Sequence, residues 1–242
     1  MKHGAQRPRI KGVERIRKMM KRLCFKLAAL CAITGFLLTG CGSAGQGKDL
    51  EASQGTEAEK EVQTSQTEDK EGEDLLSGKH HVKIHIKDKG EILVELDADH
   101  APVTVTNFIN LAESGFYDGL TFHRIINGFM MQGGDPLGTG MGGSEQKIVG
   151  EFSNNGVDNP LSHTRGAISM ARSAASMDSA SSQFFIVHQD CVSLDGDYAV
   201  FGYVTEGMDI VDDICENTTG QDVNGVVPVE NRPVIESIEV VD

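Results

Sequence analysis

Val82, Ile84 and Ile86 alternate with the polar residues Lys83 and His85. Asp88-Lys89-Gly90 supplies a turn, and Ile92, Val94 and Leu96 resume the alternation. The stretch therefore predicts a β-hairpin with one buried face. His80, His81 and His85 sit among these apolar positions, which suits a solvated strand face better than a metal site. The period then lengthens. Val105, Phe108, Leu111 and Ala112 form one stripe within Ala101–Gly115, with Pro102 in the first turn and Gly115 at the end. That pattern predicts a helix. Short apolar runs follow at 121–126, 129–132, 166–171, 183–188 and 198–204 and predict strands. A short helix is expected over 208–215 and a last strand over 235–241. The expected fold is mainly β, a closed eight-stranded antiparallel β-barrel capped by two α-helices.

The chain before the hairpin reads differently. Lys21, Arg22 and Lys26 precede the apolar run Leu27–Leu38, which is followed by Thr39, Gly40 and Cys41. This twelve-residue, largely apolar run is too short to span a bilayer comfortably but suits the core of a signal peptide. Leu38–Cys41 resembles a bacterial lipobox. That resemblance implies cleavage before Cys41, a lipid on its sulfur, and a place at the extracytoplasmic face of the bacterial cell membrane. Met19 and Met20 are alternative starts after an unusually long basic lead. From Gly42 to about Lys79 the residues are mainly Gly, Ser, Gln, Thr, Glu and Lys, with no aromatic. Such a segment buries too little apolar surface to offset ordering entropy. The expected organisation is a signal peptide over 1–40, a lipidated cysteine and acidic tether over 41–79, and a folded domain over 80–242. The long tether favours a one-membrane cell.

Charge sharpens this division. Of 22 Lys and Arg residues, ten fall in the first 40, against a single acid there, Glu14. The remaining 202 residues carry 12 basic and 35 acidic side chains. So acidic a surface argues against nucleic acid, whose binding depends on neutralised phosphates. Cleavage at Cys41 leaves Cys191 and Cys215, too few for a disulfide framework.

One motif competes for attention. Gly138-Thr139-Gly140-Met141-Gly142-Gly143 fits the dinucleotide fingerprint G-x-G-x-x-G. The fingerprint needs a buried strand before it and a helix after it. Here Pro136 stands just upstream, and the following residues, broken by Gly150, are rich in turn formers. A surface loop is the better reading.

The residues before that loop say more. Phe122–Asp135, "FHRIINGFMMQGGD", resembles the signature of cyclophilin-type peptidyl-prolyl cis-trans isomerases. The resemblance continues in register through "RGAISMAR" (165–172), "SASSQFFIVH" (179–188) and "LDGDYAVFGYV" (194–204), covers about residues 80–242, and is nearest the bacterial branch. It implies a β-barrel closed by two helices and rotation about X-Pro bonds. No covalent bond breaks in that reaction, so no metal and no cofactor is implied. Arg124 matches the catalytic arginine. Phe129, Met130, Phe185 and Leu194 match the apolar pocket for the proline ring. Gln132 matches a donor to the substrate backbone, and Ala171 a backbone contact. Phe122 and Gln183 match further lining positions. From spacing alone, Phe129, Met130 and Phe185 would read as core. His123 falls on the opposite strand face from Arg124 and reads as structural.

Four positions depart from the best-known pattern of the family, one of them Asn127, which replaces a turn proline and should matter little. Tyr198 stands where histidine is frequent, Arg172 where an asparagine contacts the peptide, and Ser193 where a tryptophan contacts cyclosporin. The implied partners are proline-containing segments of exported or unfolded proteins and, through Cys41, the membrane. Weak cyclosporin binding and a monomer are expected. The rival reading is a non-catalytic module that holds proline-containing segments as a chaperone or adaptor.

Overall fold

The computed structural model describes residues 74–242. The lipobox ending at Cys41, the alternative starts and the tether up to residue 73 lie outside the described residues.

Among the described residues eight strands form one antiparallel sheet. In chain order they are β1 (Lys79–Ile86), β2 (Gly90–Asp97), β3 (Arg124–Ile126), β4 (Met130–Gly133), β5 (Ala167–Met170), β6 (Phe184–Val187), β7 (Val200–Glu206) and β8 (Ile235–Val240). Their spatial order is β3-β4-β6-β5-β7-β2-β1-β8. Among the described residues two helices accompany them, α1 (Pro102–Glu113) and α2 (Met208–Asn217). The mainly β, two-helix architecture expected from the periodicity is thus present. The barrel's closure is looser than a continuous ladder. The segments just before β3 and β8 meet through an isolated bridge, Thr121↔Val234. Phe122 N–H donates to Pro233 O at 3.0 Å, and Ile235 N–H to Leu120 O at 2.8 Å. Residues 121–123, expected within a strand, form this seam instead, because their partners flank Pro233, which has no N–H to extend a ladder.

The hairpin follows its alternation. Val82 pairs with Val94 and Ile84 with Ile92, and all four are buried. His81 and His85 point outward among carboxylates: His81 lies 3.7 Å from Glu95, and His85 3.4 Å from Glu91 and 3.3 Å from Glu239. His80 pairs with Asp242.

Helix α1 has no cap from its own side chains. Its first N–H groups would be orphaned against the core. Glu151, itself buried, accepts them from Val103 at 3.0 Å and Thr104 at 2.8 Å. A carboxylate is favoured there by the positive end of the helix dipole.

The core has two parts. Inside the barrel, Phe108 packs against Tyr117, Phe184 and Phe201 at centroid distances of 5.1–5.3 Å. A second, smaller cluster contains Met130, Ala167, Phe185, Val187 and Val200. Neighbours along a strand face opposite ways. Phe184 therefore points into the barrel and Phe185 out of it, and every residue of β5 and β6 is buried. This outer cluster is the floor of the candidate site.

Candidate active site

Strand register assembles the site. Arg124 on β3 is opposite Gln132 on β4, and Gln132 is opposite Phe185 on β6. Residues opposite one another in an antiparallel pair share a face. Arg124, Gln132 and Phe185 therefore form a row, and Met130, two residues from Gln132, joins the same face. A cavity of about 180 Å³ opens over this row. Phe129, Met130, Phe185 and Leu194 supply its apolar surface, with Tyr198 and Ala171 beside them. Arg124, Gln132 and Arg172 complete the lining.

Neighbours in and around the pocket hold these side chains in place. The Arg124 Nε donates to Asn224 O at 2.8 Å, and Nη1 to Gln132 Oε1 at 3.3 Å. Its guanidinium carbon lies 6.0 Å from the centre of the Phe129 ring. Among the described residues Arg124 has no carboxylate within ion-pair distance. Burial lowers its pKa, while Tyr198 and Asp222 act in the other direction. A guanidinium nevertheless stays protonated in proteins. The pocket therefore holds a fixed cation with donors to spare.

Phe129 sits in the turn between β3 and β4. Gly128 N–H donates to His188 Nδ1 at 3.0 Å, and His188 N–H to Phe129 O at 2.9 Å. With Nδ1 accepting, Nε2–H of His188 faces Asp212, at 3.1 Å. Asp212 also takes a two-pronged contact from Arg165 at 2.7 and 2.8 Å. The turn that presents Phe129 is thereby tied to α2.

Phe185 rests on a polar trio whose histidine and serine are buried and whose aspartate reaches solvent. The His163 ring stacks on it at 5.9 Å and 13°. His163 Nδ1 lies 2.7 Å from Asp195 Oδ1, and Nε2 lies 3.0 Å from Ser169 Oγ. Serine, histidine and aspartate in this order have the connectivity of a hydrolytic triad. Ser169 and His163 are fully buried, however, and the serine hydroxyl donates to Ala199 O at 3.0 Å. No substrate reaches that oxygen. The trio props the pocket floor, and Asp195 directly follows Leu194 of the pocket wall.

The glycine loop also has a local function. Asp135 accepts N–H groups from Leu137 and Thr139 at 2.8 Å and from Gly140 at 2.5 Å. Amides that would cradle a phosphate in a nucleotide site are taken up by the chain's own carboxylate. A Cβ at Gly142 would overlap Asp135 Oδ1, and one at Gly143 would overlap Ser181 Oγ. From this loop Gly142 O accepts from Gln183 Nε2 at 2.7 Å, and Gln183 Oε1 accepts from Gln132 Nε2 at 2.9 Å. Gln132 Oε1 then faces Arg124. The loop is linked to the cation through two glutamines.

Nine of the eleven residues expected at the site meet at the cavity. Gln183 stands behind Gln132 and orients it. Phe122 is displaced: it is 0 % exposed, lies in the barrel core, and meets Phe184 edge-on at 5.9 Å. Phe122 precedes β3 in the irregular seam, where the strand alternation that would have put it on the Arg124 face does not hold, and its ring turns into the interior. The residues that sequence reading missed are His163, Ser169, Asp195 and His188. Their partners are mostly distant in sequence, and only the polar character of His163 and Ser169 in an apolar setting hints at them.

His123 is buried, 2 % exposed, on the face away from Arg124. Neither ring nitrogen has a hydrogen-bond partner among the described residues. Burial lowers its pKa, Asp135 opposes this, and Arg232 and Arg124 add to the lowering. The folded state thus keeps His123 neutral where the unfolded chain takes up a proton. The stabilising difference is intact above about pH 6.5 and is lost as pH falls below it, by up to about 1.4 kcal/mol per pH unit. Between pH 6.5 and 5, the wild type is expected to lose stability relative to His123→Leu in urea titrations. Parallel pH profiles for the two proteins would remove this assignment.

A larger hollow of about 430 Å³ lies elsewhere, lined by Lys87, Lys89, Asn217, Glu230 and Arg232 among others. It lacks the aromatic floor that a proline ring requires.

Comparison with known proteins bears on this pocket. The family model described as "Cyclophilin type peptidyl-prolyl cis-trans isomerase/CLD" matches residues 81–240. The chain is 46 % identical over 145 residues to peptidyl-prolyl cis-trans isomerase B of Bacillus subtilis, spanning 60 % of this chain and 94 % of that one. A Helicobacter pylori peptidyl-prolyl cis-trans isomerase is 48 % identical over 128 residues, spanning 52 % of this chain and 75 % of that one. Among solved structures, a cyclophilin type isomerase of Cryptosporidium parvum, crystallised in the presence of the dipeptide Ala-Pro, superposes with a TM-score of 0.59. It is 30 % identical and is covered over 99 % of its length by 67 % of this chain.

Proposed function

The chain belongs to the cyclophilin-type peptidyl-prolyl cis-trans isomerase family, and from that premise we propose that it is a lipid-anchored catalyst acting on X-Pro bonds of exported proteins. Isomerase activity itself follows from the family and its named relatives. The mechanism, clients and anchor are our reading.

Rotation about a peptide bond is opposed by a barrier of about 18–20 kcal/mol, because amide resonance is lost. A barrier of about 20 kcal/mol gives a rate on the order of 10⁻² per second. X-Pro is the bond at which both isomers are populated. As the amide twists, the proline nitrogen becomes pyramidal and regains a lone pair. The planar ground state hardly presents that lone pair. A donor aimed at it therefore binds the transition state more tightly than the substrate. The observation that carries this reading is Arg124: a guanidinium fixed by Asn224 and Gln132, with no carboxylate at ion-pair distance among the described residues, over an apolar pocket floored by Phe185. Phe129, Met130 and Leu194 would hold the proline ring, and a dry wall favours the less dipolar twisted amide. Gln132 and Ala171 would align the substrate backbone. No atom is transferred and no covalent intermediate forms.

The anchor reading rests on Leu38–Cys41. Lipid with two or more acyl chains holds a protein firmly to a bilayer, whereas one chain is marginal. The tether would place the domain about 30–40 Å from the membrane on average, at about 5–6 Å × √n. Fractionation of the producing bacterium tests this. Wild-type protein is expected in the membrane fraction and Cys41→Ser in the soluble fraction. Equal partitioning of the two would contradict the anchor.

Ser193, exposed beside Leu194, offers no indole face to cyclosporin. Cyclosporin binding is therefore expected to be weak, and Ser193→Trp should tighten it by about tenfold or more, the scale of an interfacial tryptophan anchor. Calorimetry on both proteins checks this.

A further inference from the structure

The pocket carries a second guanidinium. Arg172 lies just beyond the end of β5, next to Ala171 in the cavity wall. Its Nε donates to Asp197 O at 2.7 Å, and its Nη1 to Ser173 O at 3.2 Å. Its carbon lies 4.9 Å from the Tyr198 ring centre and 5.1 Å from that of Phe152. Two carbonyls and two aromatic rings thus hold a planar group in place. None of these partners neutralises it. Asp197 is near, but its carboxylate accepts from Asn154 Nδ2 at 2.8 Å and contributes only its carbonyl to Arg172. A guanidinium has five N–H donors. The two hydrogen bonds use Nε and one donor of Nη1, so both donors of Nη2 remain.

The contrast with Arg165 is informative, because that side chain meets Asp212 through both Nη atoms. At the cavity the lining consists of two arginines and seven side chains without charge. This occurs in a chain of net charge −14. The pocket is therefore a local cationic site on an acidic surface. Desolvated guanidinium groups favour carboxylates, which they can bind through parallel N–H donors. Polypeptides rich in acids are repelled by the surface as a whole. A single carboxylate next to the proline meets the two arginines instead.

We propose that Arg172 makes the site selective for segments with one Glu or Asp adjacent to the isomerising proline. The proposal rests on the isomerase reading and specifies the substrate class. Arg172 acts here as a specificity-determining residue, while Arg124 faces the twisting amide.

The test uses acetylated, amidated peptides in which the residue before or after proline is Glu, Gln or Lys. With chain ends blocked, the only carboxylate is the side chain. Catalysed cis-trans exchange is measured by NMR with the full-length wild type, Arg172→Gln and Arg172→Lys. At one of the two positions, wild type is expected to accelerate the Glu peptide at least about fivefold more than the Gln peptide at low salt. That ratio should shrink as salt is raised. It should fall toward one in Arg172→Gln and be partly kept in Arg172→Lys. Wild-type acceleration of Glu and Gln peptides within twofold of each other at both positions would overturn the selectivity and leave the isomerase reading standing. A Glu preference that survives Arg172→Gln would overturn the assignment to Arg172. No acceleration of any peptide would overturn the reading beneath as well.

Discussion

Arg124→Ala is expected to lower kcat/KM for an Ala-Pro peptide by about 10- to 150-fold, the equivalent of one charge-assisted hydrogen bond of about 1.5–3 kcal/mol. The loss should fall mainly on kcat. The planar amide offers Arg124 little to bind, so ground-state affinity depends on the apolar pocket rather than on the cation. Arg124→Lys should recover only part of the loss. A lysine has no planar fork to be oriented by Asn224 O and Gln132 Oε1 together. Exchange spectroscopy supplies the rates, and peptide titration supplies the affinity. An Arg124→Ala protein that bound peptide a hundredfold more weakly with unchanged kcat would assign Arg124 to substrate binding.

Phe185→Ala is expected to damage both stability and catalysis. The ring is 5 % exposed and belongs to the outer apolar cluster with Met130, Ala167, Val187 and Val200. It also stacks on His163 and meets Tyr198 edge-on at 6.0 Å. Truncating a buried phenylalanine to alanine costs about 3–5 kcal/mol. In a domain of this size that corresponds to a fall in Tm of about 6–20 °C. Urea titration should show a lower midpoint with an unchanged slope, the sign of lost packing without a change in compactness. Activity should fall further than stability accounts for, because the floor under the proline ring is removed. A midpoint shift of less than about 1 kcal/mol would mean that the outer cluster is not a second core.

These two residues also show what could be read from the chain. Period two over 82–96 and the single stripe of Ala101–Gly115 identified β1, β2 and α1, because each buries one face and leaves the other wet. β5 and β6 are buried on both faces and were legible only as short apolar runs. The seam at Thr121 and Val234 joins segments 113 residues apart and leaves no local pattern. At the site, Arg124, Gln132 and Phe185 were identified through family motifs, and their common row follows from register. Phe122 was misplaced because a motif position records neighbourhood, while the break in alternation at the seam before β3 turns its ring into the core. The supports were hidden for one shared reason. Glu151 caps a helix 47 and 48 residues away, Asp195 holds His163 across 32, and Gln183 reaches Gly142 across 41. Long-range hydrogen bonds between ordinary polar residues have no periodicity. The fingerprint-like Gly138–Gly143 was correctly read as a loop because its flanks lacked the strand and helix that phosphate binding requires. Its tie to Asp135 explains why glycine stands there.

The most direct measurement of the central claim is two-dimensional exchange NMR on an Ala-Pro peptide with substoichiometric full-length protein. Exchange cross-peaks between the cis and trans forms, growing with enzyme concentration and largely lost in Arg124→Ala, are the predicted result. Peptide binding by the wild type with no acceleration of exchange would contradict it and leave a module that holds proline-containing segments without turning them over.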